Sequence, residues 1–75
     1  DDLPVINVGE GMALPAALTA LGFTASNKEA KRKIAEGAVK LDDAVLSDPG
    51  MVLTVDDGAQ KRLSLGRKKH GIVTR

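Results

Sequence analysis

The residues of this 75-residue chain whose types and spacing could do chemistry together are cations. Lys28, Lys31 and Arg32 stand three and four apart, within one turn of a helix, and Arg67-Lys68-Lys69 form an unbroken run. Sets of this kind bind polyanions: they meet successive phosphates and release the counterions condensed on them. The formal net charge of +1 conceals how the charges are segregated. Residues 1–27 hold Asp1, Asp2 and Glu10 with no Lys or Arg, and Lys28–Lys40 carry five bases against Glu29 and Glu36. Leu41–Gln60 carry five aspartates and no base, and Lys61–Arg75 carry six Lys and Arg and no acid. Such a distribution bears on the partner more than the total does. Two basic blocks flanking an acidic one make a single positive face if the fold brings them together.

Other chemistries find little support. His70 is the sole histidine and there is no cysteine, so no histidine–cysteine metal set can form and disulfides are excluded. The absence of cysteine also makes an intracellular location the simplest reading. His70 can hydrogen-bond a phosphate or a backbone carbonyl, or stand as an ordinary surface residue. The aspartates from Asp42 to Asp57 lack the alternate-position spacing of a calcium loop, and turn chemistry accounts for them. No serine-centred motif or other catalytic constellation occurs, so no catalytic residue and no metal ligand is assigned. With Phe23 the only aromatic, the chain offers no stacking platform for unpaired bases. No apolar run approaches the length of a membrane span or a signal segment.

The elements that must position the cations are legible in outline. Val5-Ile6-Asn7-Val8 reads as a short strand or arm ended by Gly9-Glu10-Gly11. Leu14, Ala17, Leu18 and Leu21 make an i, i+3, i+4, i+7 series for a first helix, with Pro15 in its first turn and Gly22 as its stop. Ser26 and Glu29 form a capping box for a second helix that Gly37 closes. At about 100° per residue, Ala30 and Ile34 face the core, and Lys28, Lys31 and Arg32 share a sector with only Ala35 among them. Lys33 falls on the other flank, where an i, i+4 pair with Glu29 gives it a structural role. Taken alone, this helix reads equally well as a solvated face.

After Gly37 the apolar period becomes alternating. Val39 and Leu41, Val45-Leu46, Met51–Val55, Leu63 and Leu65, and Ile72-Val73 read as short strands. Asp42-Asp43 and Ser47–Gly50 supply turns. The basic run Arg67-Lys68-Lys69 is expected in a loop between the last two strands; edge protection by lysines is the competing reading. The order predicts one α+β domain over 1–75, with a leading strand or arm over 1–11, a helix pair over 12–37 and short strands over 38–75. Because the chain opens on Asp1-Asp2 rather than Met, it reads as a piece of a longer protein.

The series Ser26-x-x-Glu29-Ala30-x-Arg32-x-Ile34-x-x-Gly37-x-Val39-x-Leu41 resembles the RNA-binding domain family named after small-subunit ribosomal protein S-four. The ending Leu63-Ser64-Leu65-Gly66-Arg67-Lys68-Lys69-His70 is most similar to that of the domain as it occurs at the C-terminus of bacterial tyrosyl-tRNA synthetases. The resemblance covers about Leu14 to Arg75. It implies two packed helices against a small, bent antiparallel sheet. It also implies a grip on the long variable arm of tyrosine tRNA, through Lys28, Lys31 and Arg32 on the second helix and Arg67, Lys68 and Lys69 in the tail. It implies a cytoplasmic, homodimeric parent that joins tyrosine to tRNA using ATP and magnesium, with no cofactor in this domain. Phosphate and shape recognition should dominate, because base edges in paired RNA lie in a deep groove. The sequence departs from the family in three places. Asn27 stands where a base often follows the capping serine, Asp42-Asp43 replaces an Asn-Gly turn, and the first helix carries no base. The equivalent domain of a pseudouridine synthase or ribosome-associated protein, and a protein-interaction module, are the other readings.

Overall fold

The computed structural model describes residues 3–75, so the first two residues of the leading arm lie outside it. In chain order the elements are β1 (Val5–Asn7), β2 (Met12–Ala13), α1 (Leu14–Ala20), α2 (Asn27–Ala35), β3 (Val39–Leu41), β4 (Ala44–Leu46), β5 (Val52–Leu53), β6 (Gln60–Leu65) and β7 (Lys69–Thr74). Five strands form one sheet in the order β1-β7-β6-β3-β4, while β2 and β5 pair separately. The two helices pack against this sheet, giving the α+β architecture that the alternation of periods predicts. The sheet is antiparallel except at one edge, where β1 runs parallel to β7 with Val5 opposite Ile72. That pairing joins the two ends of the chain, and no local sequence signal specifies it.

The helices end as their glycines dictate. Gly22 and Gly37 take φ of 81° and 77°. The residue after each bonds back into the last turn, Phe23 N–H to Leu18 O at 3.0 Å and Ala38 N–H to Lys33 O at 3.1 Å. Both stops therefore throw the chain back across its own helix. One core follows: Leu14, Ala17, Leu18, Leu21 and Phe23 from the α1 side, Ala30 and Ile34 from α2, and Val39, Leu63, Leu65 and Val73 from the sheet are all buried. A hydrogen bond of 2.8 Å from the Thr19 hydroxyl to Asn27 Oδ1 ties the end of α1 to the start of α2. The Met51–Val55 run forms strand only at Val52–Leu53, because its partner Met12–Ala13 is two residues long.

Candidate functional site

The orientation of α2 follows from its own residues. Ser26 is extended at φ −153°, and its hydroxyl accepts from Glu29 N–H at 3.2 Å, so the helix starts at Asn27. Of the two bonds of the expected box only this one forms; the Glu29 carboxylate does not return to Ser26. Ala30 and Ile34 are buried, which fixes the rotation and leaves Lys28, Lys31 and Arg32 exposed. Lys28 and Arg32, with Ser26 and Glu29, line a shallow depression at the N-terminal end of the helix. Lys31 is exposed but lies outside that depression.

The second basic block sits on the β6–β7 hairpin. The strands pair antiparallel to the closing pair Leu65–Lys69, so the loop is Gly66-Arg67-Lys68 alone. Lys69 begins β7 rather than lying in the loop where the basic run suggested, and His70 follows it in the strand. Lys33, Ala38 and Leu65 together with the Gly66–Lys69 run line a second depression, between the C-terminal end of α2 and the hairpin. Lys33 is the cation to which helical spacing assigns a structural role. Its carboxylate neighbour is Glu36 at 3.8 Å, not Glu29, and both side chains are about half exposed. An i, i+3 pair so open to water contributes only a few tenths of a kcal/mol and leaves Lys33 available. The signal that could have found it is the flank itself, since Gly37 turns the chain back on that side of α2.

The two blocks do not merge into one unbroken face. On the α2 wheel Glu36 and Glu29 fall between Arg32 and Lys33, so a strip of carboxylates divides the Lys28–Lys31–Arg32 sector from the hairpin depression. Lys40 and Arg62 alternate with the core residues Val39 and Leu63, which puts them on the sheet face away from the helices. The structure thus brings Lys33 to Arg67, Lys68 and Lys69 and keeps Lys28, Lys31 and Arg32 on an adjoining tract.

Two of the hairpin side chains are committed within the protein. Lys69 Nζ donates to the Phe23 carbonyl oxygen at 2.7 Å. His70 Nε2 lies 2.9 Å from the Arg67 carbonyl oxygen. Its hydrogen must therefore be on Nε2, since a carbonyl only accepts. Nδ1 is then left buried with no partner among the described residues. The aspartates act as turn residues: Asp48 Oδ1 accepts from Gly50 N–H at 2.9 Å. Among the described residues no three His, Cys, Asp or Glu converge to hold a metal ion. Among the described residues no helix is long and apolar enough to cross a membrane.

No protein-family model matches the chain. It is similar to the tyrosine–tRNA ligase of Dinoroseobacter shibae, 41% identical over 81 residues that cover 100% of this chain and 19% of that protein. It matches the tyrosine–tRNA ligase of Novosphingobium aromaticivorans with 44% identity over 73 residues, 96% of this chain and 18% of the relative. The same-named protein of Xanthomonas axonopodis pv. citri is 41% identical over 70 residues, 93% of the chain and 17% of the relative. The chain spans about a fifth of the length of these relatives.

Proposed function

From the premise that this chain belongs, over its whole length, with a segment of the tyrosine–tRNA ligases, we propose that it is the tRNA-gripping domain of such an enzyme. The domain sits at the C-terminal end of the longer chain and holds the long variable arm of tyrosine tRNA. The observation that carries this reading is the juxtaposition of α2 with the β6–β7 hairpin, which lays two cationic tracts side by side. Lys28, Lys31 and Arg32 take phosphates on one tract. Lys33, Arg67 and Lys68 take them on the other, with Lys69 beside them. Exposed lysines and arginines without aromatic neighbours suit a structured RNA read by its backbone and shape. The longer enzyme, a cytoplasmic homodimer, joins tyrosine to its tRNA with ATP and magnesium, which are used elsewhere in its chain.

The test is binding of the chain to three RNAs over a salt series: a tyrosine tRNA, the same tRNA with its variable arm trimmed, and an unrelated hairpin. Binding is expected to weaken with salt and with loss of the arm. Equal binding to all three would leave a general RNA-binding domain. The double variant Lys31→Ala/Arg32→Ala is expected to remain folded. Its slope of log K against log salt should become shallower by about 0.7–0.9 for each phosphate that is no longer neutralised. An unchanged affinity in that folded variant removes α2 from the interface.

A further inference from the structure

The Gly66-Arg67-Lys68 loop is held at four points, and two of them involve the residues that follow the helix stops. Its base is closed by the Leu65–Lys69 pair. Gly66 N–H donates to the carbonyl of Ala38 at 2.9 Å, the residue just past Gly37 at the end of α2. Lys69 Nζ donates to the carbonyl of Phe23 at 2.7 Å, the residue just past Gly22 at the end of α1. The fourth tie is His70 Nε2–H to the Arg67 carbonyl at 2.9 Å, which closes the loop on itself. The hairpin is therefore fastened to the chain immediately beyond both helices.

Each tie has a physical reason. The last turn of α1 carries no base, and Lys69 brings a cation to its partly negative end from 46 residues away in sequence. The bond is part-buried, so a phosphate that drew the ammonium away would strand the Phe23 carbonyl. The His70 ring keeps its place although its Nδ1 is buried without a partner among the described residues, and the Nε2 bond to Arg67 is what the ring supplies in return. Arg67 and Lys68, by contrast, make no side-chain bond among the described residues, and both are exposed.

We propose that Lys69 and His70 are positioning residues, which hold the loop so that Arg67 and Lys68 meet phosphates, and that neither touches the RNA itself. The proposal rests on the RNA-binding reading above and assigns different roles to neighbouring members of one basic run. A loop ordered before the RNA arrives avoids the entropy loss of ordering it on binding.

The test uses Lys69→Met, Lys69→Arg and His70→Phe in the 75-residue chain, with thermal unfolding to establish that each is folded. Backbone amide order parameters of residues 66–68 are measured without RNA, and tyrosine tRNA binding is measured over a salt series. For Lys69→Met and His70→Phe the order parameters of Arg67 and Lys68 are expected to fall from about 0.85 toward 0.6 or below. Affinity should weaken roughly three- to tenfold with the salt slope unchanged. Lys69→Arg, which keeps a donor able to reach the carbonyl, should restore both. The proposal is overturned if Lys69→Met lowers the salt slope by about 0.7–0.9 while the loop stays rigid, the signature of a phosphate that Lys69 itself had neutralised. It is overturned as well if Lys69→Arg recovers affinity while the loop stays mobile. Should Lys69→Met unfold, His70→Phe decides the same question from the other tie. If the unaltered chain binds no RNA, the RNA reading fails by itself, and the order parameters still decide whether these residues fix the loop.

Discussion

Asp42 and Asp43 occupy the two central positions of the β3–β4 hairpin with φ of 49° and 70°, a conformation that L residues other than Asn and Asp seldom take. Asp42 is compensated. Its N–H donates to the Arg62 carbonyl at 2.8 Å, and its carboxylate accepts from Arg62 N–H at 2.9 Å, extending the β3–β6 ladder by one step. Among the described residues Asp43 forms no such bond, and it bears its left-handed backbone without return. Asp43→Gly is therefore expected to stabilise the domain by about 0.5 kcal/mol, read as a higher denaturation midpoint at unchanged slope. Asp42→Gly is expected to destabilise it, because the carboxylate bond goes with the side chain. A lower midpoint for Asp43→Gly would mean that this turn is not strained. The turn itself was legible from the Asp-Asp pair between alternating apolar residues. The bond to Arg62 was not, because it spans 20 residues and depends on which strand neighbours β3.

At the scale of elements, local chemistry is most complete in α2. The Ser26 cap, the buried Ala30 and Ile34 and the Gly37 stop were all legible, because each acts within one or two turns. Ser26→Ala is expected to cost about 1 kcal/mol by orphaning Glu29 N–H, with fraying confined to the first turn of α2 in hydrogen exchange. A loss well below that would mean that water replaces the hydroxyl at no cost. What the sequence did not disclose is how elements meet. Helical spacing pairs Lys33 with Glu29, yet it stands beside Glu36 and the hairpin. Its flank is set by how β6 and β7 lie against the helix, not by anything within α2. The apolar run overstates the length of β5 for the same reason: β-branched residues make strand only where a partner reaches them.

For the molecule as a whole, the loop between the helices closes directly onto the sheet at Gly71. A Cβ there would stand 2.8 Å from Leu21 Cδ2 and 3.2 Å from Phe23 Cζ, both in the core. Gly71→Ala is expected to cost about 1–2 kcal/mol, lowering the melting temperature in a single transition, because it pushes β7 off the loop between the helices. An unchanged melting temperature would show that Leu21 yields freely. The layer arrangement and the cationic residues were within reach of the sequence, since periodicity and charge are properties of the string. The division of those cations into two tracts, and the retreat of Lys69 onto a carbonyl, required the fold. The parallel pairing of β1 with β7 has a mechanical side. A pull on the two ends of the chain drags these strands past each other along their length. Ile72 N–H to Pro4 O and Val8 N–H to Thr74 O, both 2.8 Å, then carry the load together and cannot be unzipped one at a time. The force the domain withstands is set by this edge, while its equilibrium stability is set by the core.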